Sequence, residues 1–228
     1  MLYFLKRQWP VLVFAIFVSF IYGSHHVFVP YFLGGFEDYY PVTHSSNSDE
    51  AVFYGPRANA VFNDQWIAGD IVTYEHKDGP AFLPMLNPII MGGLARLLGS
   101  IRSAFILSDF LFPPIIFLVL YFLAYEIFQR RLFSLLFATL FIFAPKLFLF
   151  PSPGVFSVLV KPEALYFERF EYPKITFLFF AFAFYFVYRA FRRKDRLSIA
   201  FSGIGVGLLF YTYFHDWVYF LSALFTAF

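Results

Sequence analysis

The sequence contains no cysteine and few charged residues. The absence of cysteine excludes a disulfide scaffold and any metal site built from thiolates. Charged residues make up 14% of the chain, whereas an ordinary soluble domain has about 25%. The formal net charge of +2 is too small to indicate a nucleic-acid-binding protein. A water-facing globule and a nucleic-acid binder are therefore both disfavoured.

Apolar and aromatic residues are abundant instead. Of the 228 residues, 60% are hydrophobic and 38 are phenylalanine. Intrinsic disorder is excluded because it requires low hydrophobicity and high net charge. The composition is typical of a polytopic membrane protein.

Long apolar runs recur along the chain. A transmembrane helix needs about 20 mostly apolar residues. The runs cover residues 9–22 with a possible extension to 32, 103–128, 132–150, 175–191, and an interrupted fifth stretch at 197–213 and 218–228. No small-residue cleavage site follows the first run, so we expect an uncleaved anchor rather than a signal peptide. These runs predict an all-α polytopic bundle of transmembrane helices.

Basic residues are concentrated in the turns on one side of these runs. They are Lys6, Arg7, Arg130, Arg131, Arg189, Arg192, Arg193, Lys194 and Arg196. Short cytoplasmic loops accumulate Lys and Arg, so we expect a cytoplasmic N-terminus in the cell (inner or plasma) membrane. Residues 23–102 then form a long first extracytoplasmic loop, and residues 151–172 and the turn at His215 and Asp216 lie on the same outer side.

Within the long loop, a first short helix with an acidic start is predicted. Asn47 or Ser48 is suited to cap a helix that starts at Asp49 and Glu50, because carboxylates favour the N-terminal end of the helix dipole. On these residues alone, the acidic pair either carries chemistry or simply caps a surface helix.

A second helix is predicted at the end of the loop. Asn87 is suited as its N-cap, Pro88 as its first helical residue and Gly99 as the residue after its end. It is apolar but too short to span a bilayer, so we expect it to lie at the outer membrane interface. The polar turns between the two helices, at residues 64–70 and 75–80, are candidates for a sugar-facing rim.

Several segments together resemble the GT-C membrane glycosyltransferases, and in particular their aminoarabinose-transferase and protein O-mannosyltransferase branch. Residues 48–57 look like the Asp-Glu…Tyr…Arg signature of that branch, in which Asp49, Glu50, Tyr54 and Arg57 take part. The matching segments are residues 48–57, 80–86, 94–99, 168–173 and 207–213. The family members have more passes and often a soluble C-terminal domain, so we expect residues 1–228 to be the N-terminal part of such a transmembrane domain.

The resemblance implies transfer of a sugar from a polyprenyl-phosphate donor to an extracytoplasmic lipid, glycan or protein acceptor. It assigns Asp49 as the base that activates the acceptor and Glu50 as the residue that orients this base or binds the acceptor. Glu37 and Asp38 form a rival acidic motif for the base. Tyr54 is expected on the substrate side because it belongs to the signature.

The departing phosphate requires cationic side chains, and Arg and Lys both suit it. The outer-side candidates are Arg57, Lys146, Lys161, Arg169 and Lys174. Arg169 is flanked by Glu168 and Glu171, which suit it to be held in place. Lys146 lies in an apolar run, where it either serves function or extends its ammonium group to the interface.

The sequence is compatible with both a metal-dependent and a metal-independent transfer reaction. Glu37 and Asp38, or Asp49 together with Glu171, would offer oxygen ligands for Mg²⁺ or Mn²⁺. The histidines show no spacing of a known metal motif. Asp109, inside the second apolar run, is interpreted as a polar contact to a neighbouring helix.

Two other functions remain as alternatives. A transporter or flippase of a lipid-linked saccharide would show an internal repeat and helices broken at mid-membrane depth; the sequence shows no repeat, and its polar residues gather on the outer side. A non-catalytic fragment that binds lipid or a partner subunit is the third interpretation.

Overall fold

The computed structural model describes residues 2–32, 35, 54–66, 69, 79, 84–147 and 173–227. Every regular element within these ranges is a helix, as predicted. The helices are α1 (Leu2–Gly23), α2 (His25–Phe32), α3 (Gly55–Phe62), α4 (Leu86–Leu98), α5 (Ile101–Phe128), α6 (Arg131–Leu147), α7 (Lys174–Arg193), α8 (Arg196–Leu209) and α9 (Phe214–Ala227).

Within the described residues, three helical segments are long and apolar enough to cross a membrane. They are Gln8–Tyr31, which joins α1 to α2 over 24 residues, α5 with 28 residues and α7 with 20 residues. At 1.5 Å per residue, about 20 residues cover the roughly 30 Å hydrocarbon core. The first, second and fourth predicted runs are confirmed as apolar helices of spanning length. The total number of passes and their direction stay predictions.

Helix α1 shows why such segments suit lipid. Val11, Ala15 and Val18 are buried and follow one another at spacings of four and three residues, which places them on one face. The large side chains Ile16 and Phe20 point elsewhere and are exposed, Ile16 by 69%. Small residues therefore permit close helix contact while large apolar residues cover the outer surface, an arrangement suited to lipid rather than water.

The chain forms two compact units. The first contains Met1–Tyr39 and Leu107–Glu168, and the second contains Tyr40–Ile106 and Arg169–Phe228. In the first unit, the Ser19 hydroxyl on α1 donates to the carbonyl oxygen of Phe110 on α5 at 2.6 Å. The Tyr22 hydroxyl donates to the carbonyl oxygen of Ile142 on α6 at 3.0 Å. These bonds satisfy polar groups that an apolar environment would otherwise penalise.

The second unit is packed through glycines. A Cβ atom at Gly92 of α4 would lie 2.7 Å from the carbonyl oxygen of Ala58 on α3, so these two helices meet backbone to backbone. A Cβ atom at Gly205 of α8 would lie 2.9 Å from the Cα atom of Ala183 on α7. Phe220 of α9 packs into the same buried cluster as Ala183.

Helix α4 begins earlier than predicted. It starts at Leu86 with Met85 in the cap position, so the prediction of Asn87 as N-cap was wrong. The Leu86 N–H donates to the carbonyl oxygen of Tyr211 at 3.1 Å, and this distant partner replaces a side-chain cap. The predicted end is confirmed, because Gly99 adopts the left-handed conformation with φ of 80°.

The basic turns are tight connections, as the sequence indicated. Between α7 and α8, Lys194 has a φ of 54° and Asp195 caps α8 by accepting from the Ser198 N–H at 2.9 Å and from its hydroxyl at 2.6 Å. These hydrogen bonds, with a smaller contribution from nearby arginines, lower the pKa of Asp195.

We predict that Gly92→Ala lowers the thermal unfolding temperature of the detergent-solubilised protein, because its methyl group would push α3 away from α4. Gly93→Ala is the matched control, since a Cβ there meets nothing within 4 Å. Alanine should stabilise this neighbouring position by up to about 1 kcal/mol through helix propensity. Tryptophan fluorescence measures the unfolding temperature of both variants. Equal shifts for the two substitutions would contradict the close contact between α3 and α4.

Candidate functional site

The predicted site residues are only partly described by the structure. Asp49, Glu50, Arg169 and Glu171 lie outside the described residues, as do the rival acids Glu37 and Asp38. The backbone of Lys146 belongs to the last turn of α6, and its side chain is outside the described part. Their roles stay predictions. Tyr54 and Arg57 are described, and both lie at the start of α3.

Arg57 joins two of the segments that carry the resemblance. Its guanidinium is buried. It donates from Nη2 to the carbonyl oxygen of Pro84, and the same nitrogen lies 3.2 Å from Met85 Sδ. Half-buried Tyr54 directly precedes α3. Arg57 therefore ties the signature at 48–57 to the proline segment at 80–86, a contact that the sequence did not predict.

A third segment reaches the same place through the backbone. Tyr211 follows α8 and accepts the hydrogen bond from the Leu86 N–H described above. Asn87, the residue after Leu86, is buried, and its Oδ1 has no hydrogen-bond partner within the described part of the chain. An unpaired buried acceptor costs about 1–3 kcal/mol, so this amide oxygen is suited to accept from a water molecule or a ligand hydroxyl.

Lys174, one of the predicted outer cations, is the first residue of α7 and is fully buried. Its ammonium nitrogen lies 5.2 Å from the centre of the Phe105 ring in α5. A cation over an aromatic face gains electrostatic stabilisation that is largest where water is excluded. The role of Lys174 as a phosphate-binding cation stays a prediction, and the sequence gives no indication of this aromatic partner.

Asp216, in the first turn of α9, is a site residue that sequence reasoning missed. Burial raises its pKa to about 6, against the opposing effects of a hydrogen bond with Thr176 on α7 and of the neighbouring His215. Its Oδ2 is buried and lacks a partner among the described residues. The only sequence signal was an acid at the start of an apolar helix, which is equally typical of a solvent-exposed cap.

The predicted rim at residues 64–70 is partly described. Asp64 forms an ion pair with Arg96 near the end of α4. The Arg96 guanidinium carbon lies 5.2 Å from the centre of the Trp66 ring, which is 44% exposed. The two contacts hold an exposed aromatic face beside the end of α4. Such a face suits stacking against an apolar or ring-shaped ligand surface.

We predict that ionisation of Asp216 lowers the free energy of unfolding as the pH rises from about 3.8 to about 6. The raised pKa means that the folded state holds this proton more tightly than the unfolded state, whose reference pKa is 3.8. Asp216→Asn should remove this decline and raise the unfolding temperature at pH 7.

Asp195→Ala is the contrasting control in this pH series. The lowered pKa of Asp195 stabilises the fold above its unfolded pKa, and that contribution disappears as the pH falls below it. Its loss should therefore destabilise the protein at pH 7. Unfolding temperatures of Asp216→Asn that follow the wild-type pH profile would contradict the raised pKa of Asp216.

Comparison with known proteins gave no family: no protein-family model, no curated protein and no solved structure matches this chain. The residues and the contacts between them are therefore the basis for inferring a function.

Proposed function

We propose that this chain is part of a GT-C-type membrane glycosyltransferase that moves a sugar from a polyprenyl-phosphate donor to an extracytoplasmic acceptor. The observation that carries the proposal is the convergence, in the second unit, of segments that are far apart in sequence. Arg57 contacts Pro84, and Leu86 contacts Tyr211. These contacts link three segments that resemble motifs of one family.

One short turn contacts the starts of both α4 and α7. Tyr211 bonds to the start of α4, and Asp216, five residues later, bonds to Thr176 in the first turn of α7. In the sequence, the acidic pair Asp49 and Glu50 stands just before α3, and Arg169 and Glu171 stand just before α7. Both predicted groups of functional residues are therefore connected to helix starts that belong to one packed unit.

The proposed mechanism is a direct displacement at the anomeric carbon of the donor. Asp49 accepts the proton of the acceptor hydroxyl or amide as the acceptor attacks, and Glu50 orients this base. The bond from the anomeric carbon to the phosphate oxygen breaks, and the electron pair leaves with the polyprenyl phosphate. Basic side chains, with Arg169 and Lys146 as the main candidates, stabilise that charge.

Two surfaces are suited to the remaining parts of the substrates. Large apolar side chains on the outside of the helices, such as Ile16 and Leu132, provide a surface for the polyprenyl tail and membrane lipid. Trp66, held by Arg96, offers an aromatic face to a sugar ring. These surfaces are suited to an apolar chain and to a sugar ring, respectively.

We predict that Asp49→Asn in the full-length protein abolishes transfer while expression and membrane insertion remain normal. An amide cannot accept the proton of the acceptor. The measurement is the release of polyprenyl phosphate from a panel of synthetic polyprenyl-phosphate sugars, with protein in nanodiscs and a cell-envelope extract as the source of acceptors.

Asp195→Asn is the matched control, because Asp195 caps α8 in a turn predicted on the opposite side of the membrane, and asparagine can still cap that helix. It should retain most of the activity. If Asp49→Asn turns over normally and Asp38→Asn loses activity, the base belongs to the rival acidic motif of Glu37 and Asp38. The absence of turnover of the whole panel by the wild-type protein would contradict the proposed function.

A further inference from the structure

Two histidines and an aspartate meet inside the first unit. His25 and His26 open α2, directly after the break at Ser24 that separates it from α1, and Asp109 lies in α5. His26 Nε2 and Asp109 Oδ2 are hydrogen-bonded at 2.8 Å, and His25 Nε2 lies 3.9 Å from the same oxygen. All three residues are at most 3% exposed. The contact confirms the interpretation of Asp109 as a polar link between helices.

A second imidazole, that of His25, lies close to the His26–Asp109 hydrogen bond. A single imidazole at 2.8 Å already pairs with Asp109 Oδ2, and a nitrogen at 3.9 Å is too distant to form a second bond with that oxygen. Nevertheless, one potential ligand atom from each of the three side chains lies within 4.8 Å of the others. Donor atoms that converge in this way are what a metal ion needs.

The distances fit a small transition-metal ion. Zinc bonds to nitrogen and oxygen are about 2.0–2.2 Å long, so two ligand atoms of a tetrahedral site are about 3.3 Å apart. The observed separations from Asp109 Oδ2, 2.8 Å to His26 and 3.9 Å to His25, lie on either side of that value. Small side-chain adjustments of about half an ångström would bring both nitrogens to the ligand distance.

We propose that His25, His26 and Asp109 bind one divalent transition-metal ion, with zinc as the ion that fits best. Imidazole nitrogens suit zinc and its neighbours in the first transition row, whereas magnesium and calcium prefer an all-oxygen site. Binding replaces the His26–Asp109 hydrogen bond with a bond from each side chain to the metal ion and gives the buried carboxylate a cationic partner. A water molecule completes the tetrahedral ligand set.

This site is independent of the proposed glycosyl transfer. Its three ligands belong to the first unit, and none of them belongs to the segments that resemble the glycosyltransferases. The sequence contains no recognisable metal motif, because two adjacent histidines lack the usual three-residue spacing and the third ligand lies 83 residues after His26. Metal binding can therefore be measured without any knowledge of the substrate.

The experiment uses the full-length protein in detergent, stripped with a chelator and then titrated with zinc chloride. We expect one zinc ion per chain, measured by elemental analysis after desalting and by competition with a chromophoric chelator, and a zinc-dependent rise in unfolding temperature. Magnesium chloride should give neither effect. Cobalt(II) should produce the visible absorption bands of a tetrahedral site.

His25→Gln is the decisive variant, because it leaves the His26–Asp109 hydrogen bond in place and removes one metal ligand. It should weaken zinc binding at least tenfold and abolish the thermal shift, while the metal-free protein elutes from size exclusion like the wild type. His215→Gln, which alters a histidine outside the cluster, is the matched control and should bind zinc normally. Wild-type protein without stoichiometric zinc, or His25→Gln with unchanged affinity, would overturn the proposal.

Discussion

Buried polar groups of an apolar helical protein are stabilised by partners within the chain, and the contacts between the helices depend on this constraint. Side chains and backbone groups between helices meet it here. Ser19 and Tyr22 bond to carbonyl oxygens of neighbouring helices, and Arg57 bonds to the carbonyl of Pro84. Since an unpaired group would cost more in an apolar environment than in water, each of these bonds also determines which helices are neighbours.

Features that depend on local pattern were predictable from the sequence. The extents of α5 and α7 follow from their apolar runs, and the end of α4 follows from Gly99, because no other residue adopts its left-handed conformation as readily. The start of α4 was not predictable. Its first N–H is satisfied by Tyr211, and no local rule indicates a partner so far along the chain.

In the candidate sites, too, residue types were predictable from the sequence, whereas contacts between distant segments were not. Residue types suggested the chemistry of Arg57 and Lys174, but their contacts with Pro84 and Phe105 arise only when distant segments fold together. The cluster of His25, His26 and Asp109 was invisible for the same reason, because each residue taken singly resembles an ordinary polar group near a helix end. Asp109 was interpreted correctly as a helix contact, yet its partners were not identified.

The hydrogen bond between Leu86 and Tyr211 has a consequence for biosynthesis. A chain that emerges from the ribosome exposes α4 well before the segment that contains Tyr211 has been made. During that interval the first turn of α4 must use water for the N–H that Tyr211 later satisfies. The contact at the start of α4 therefore forms only after the segment that follows α8 has been synthesised.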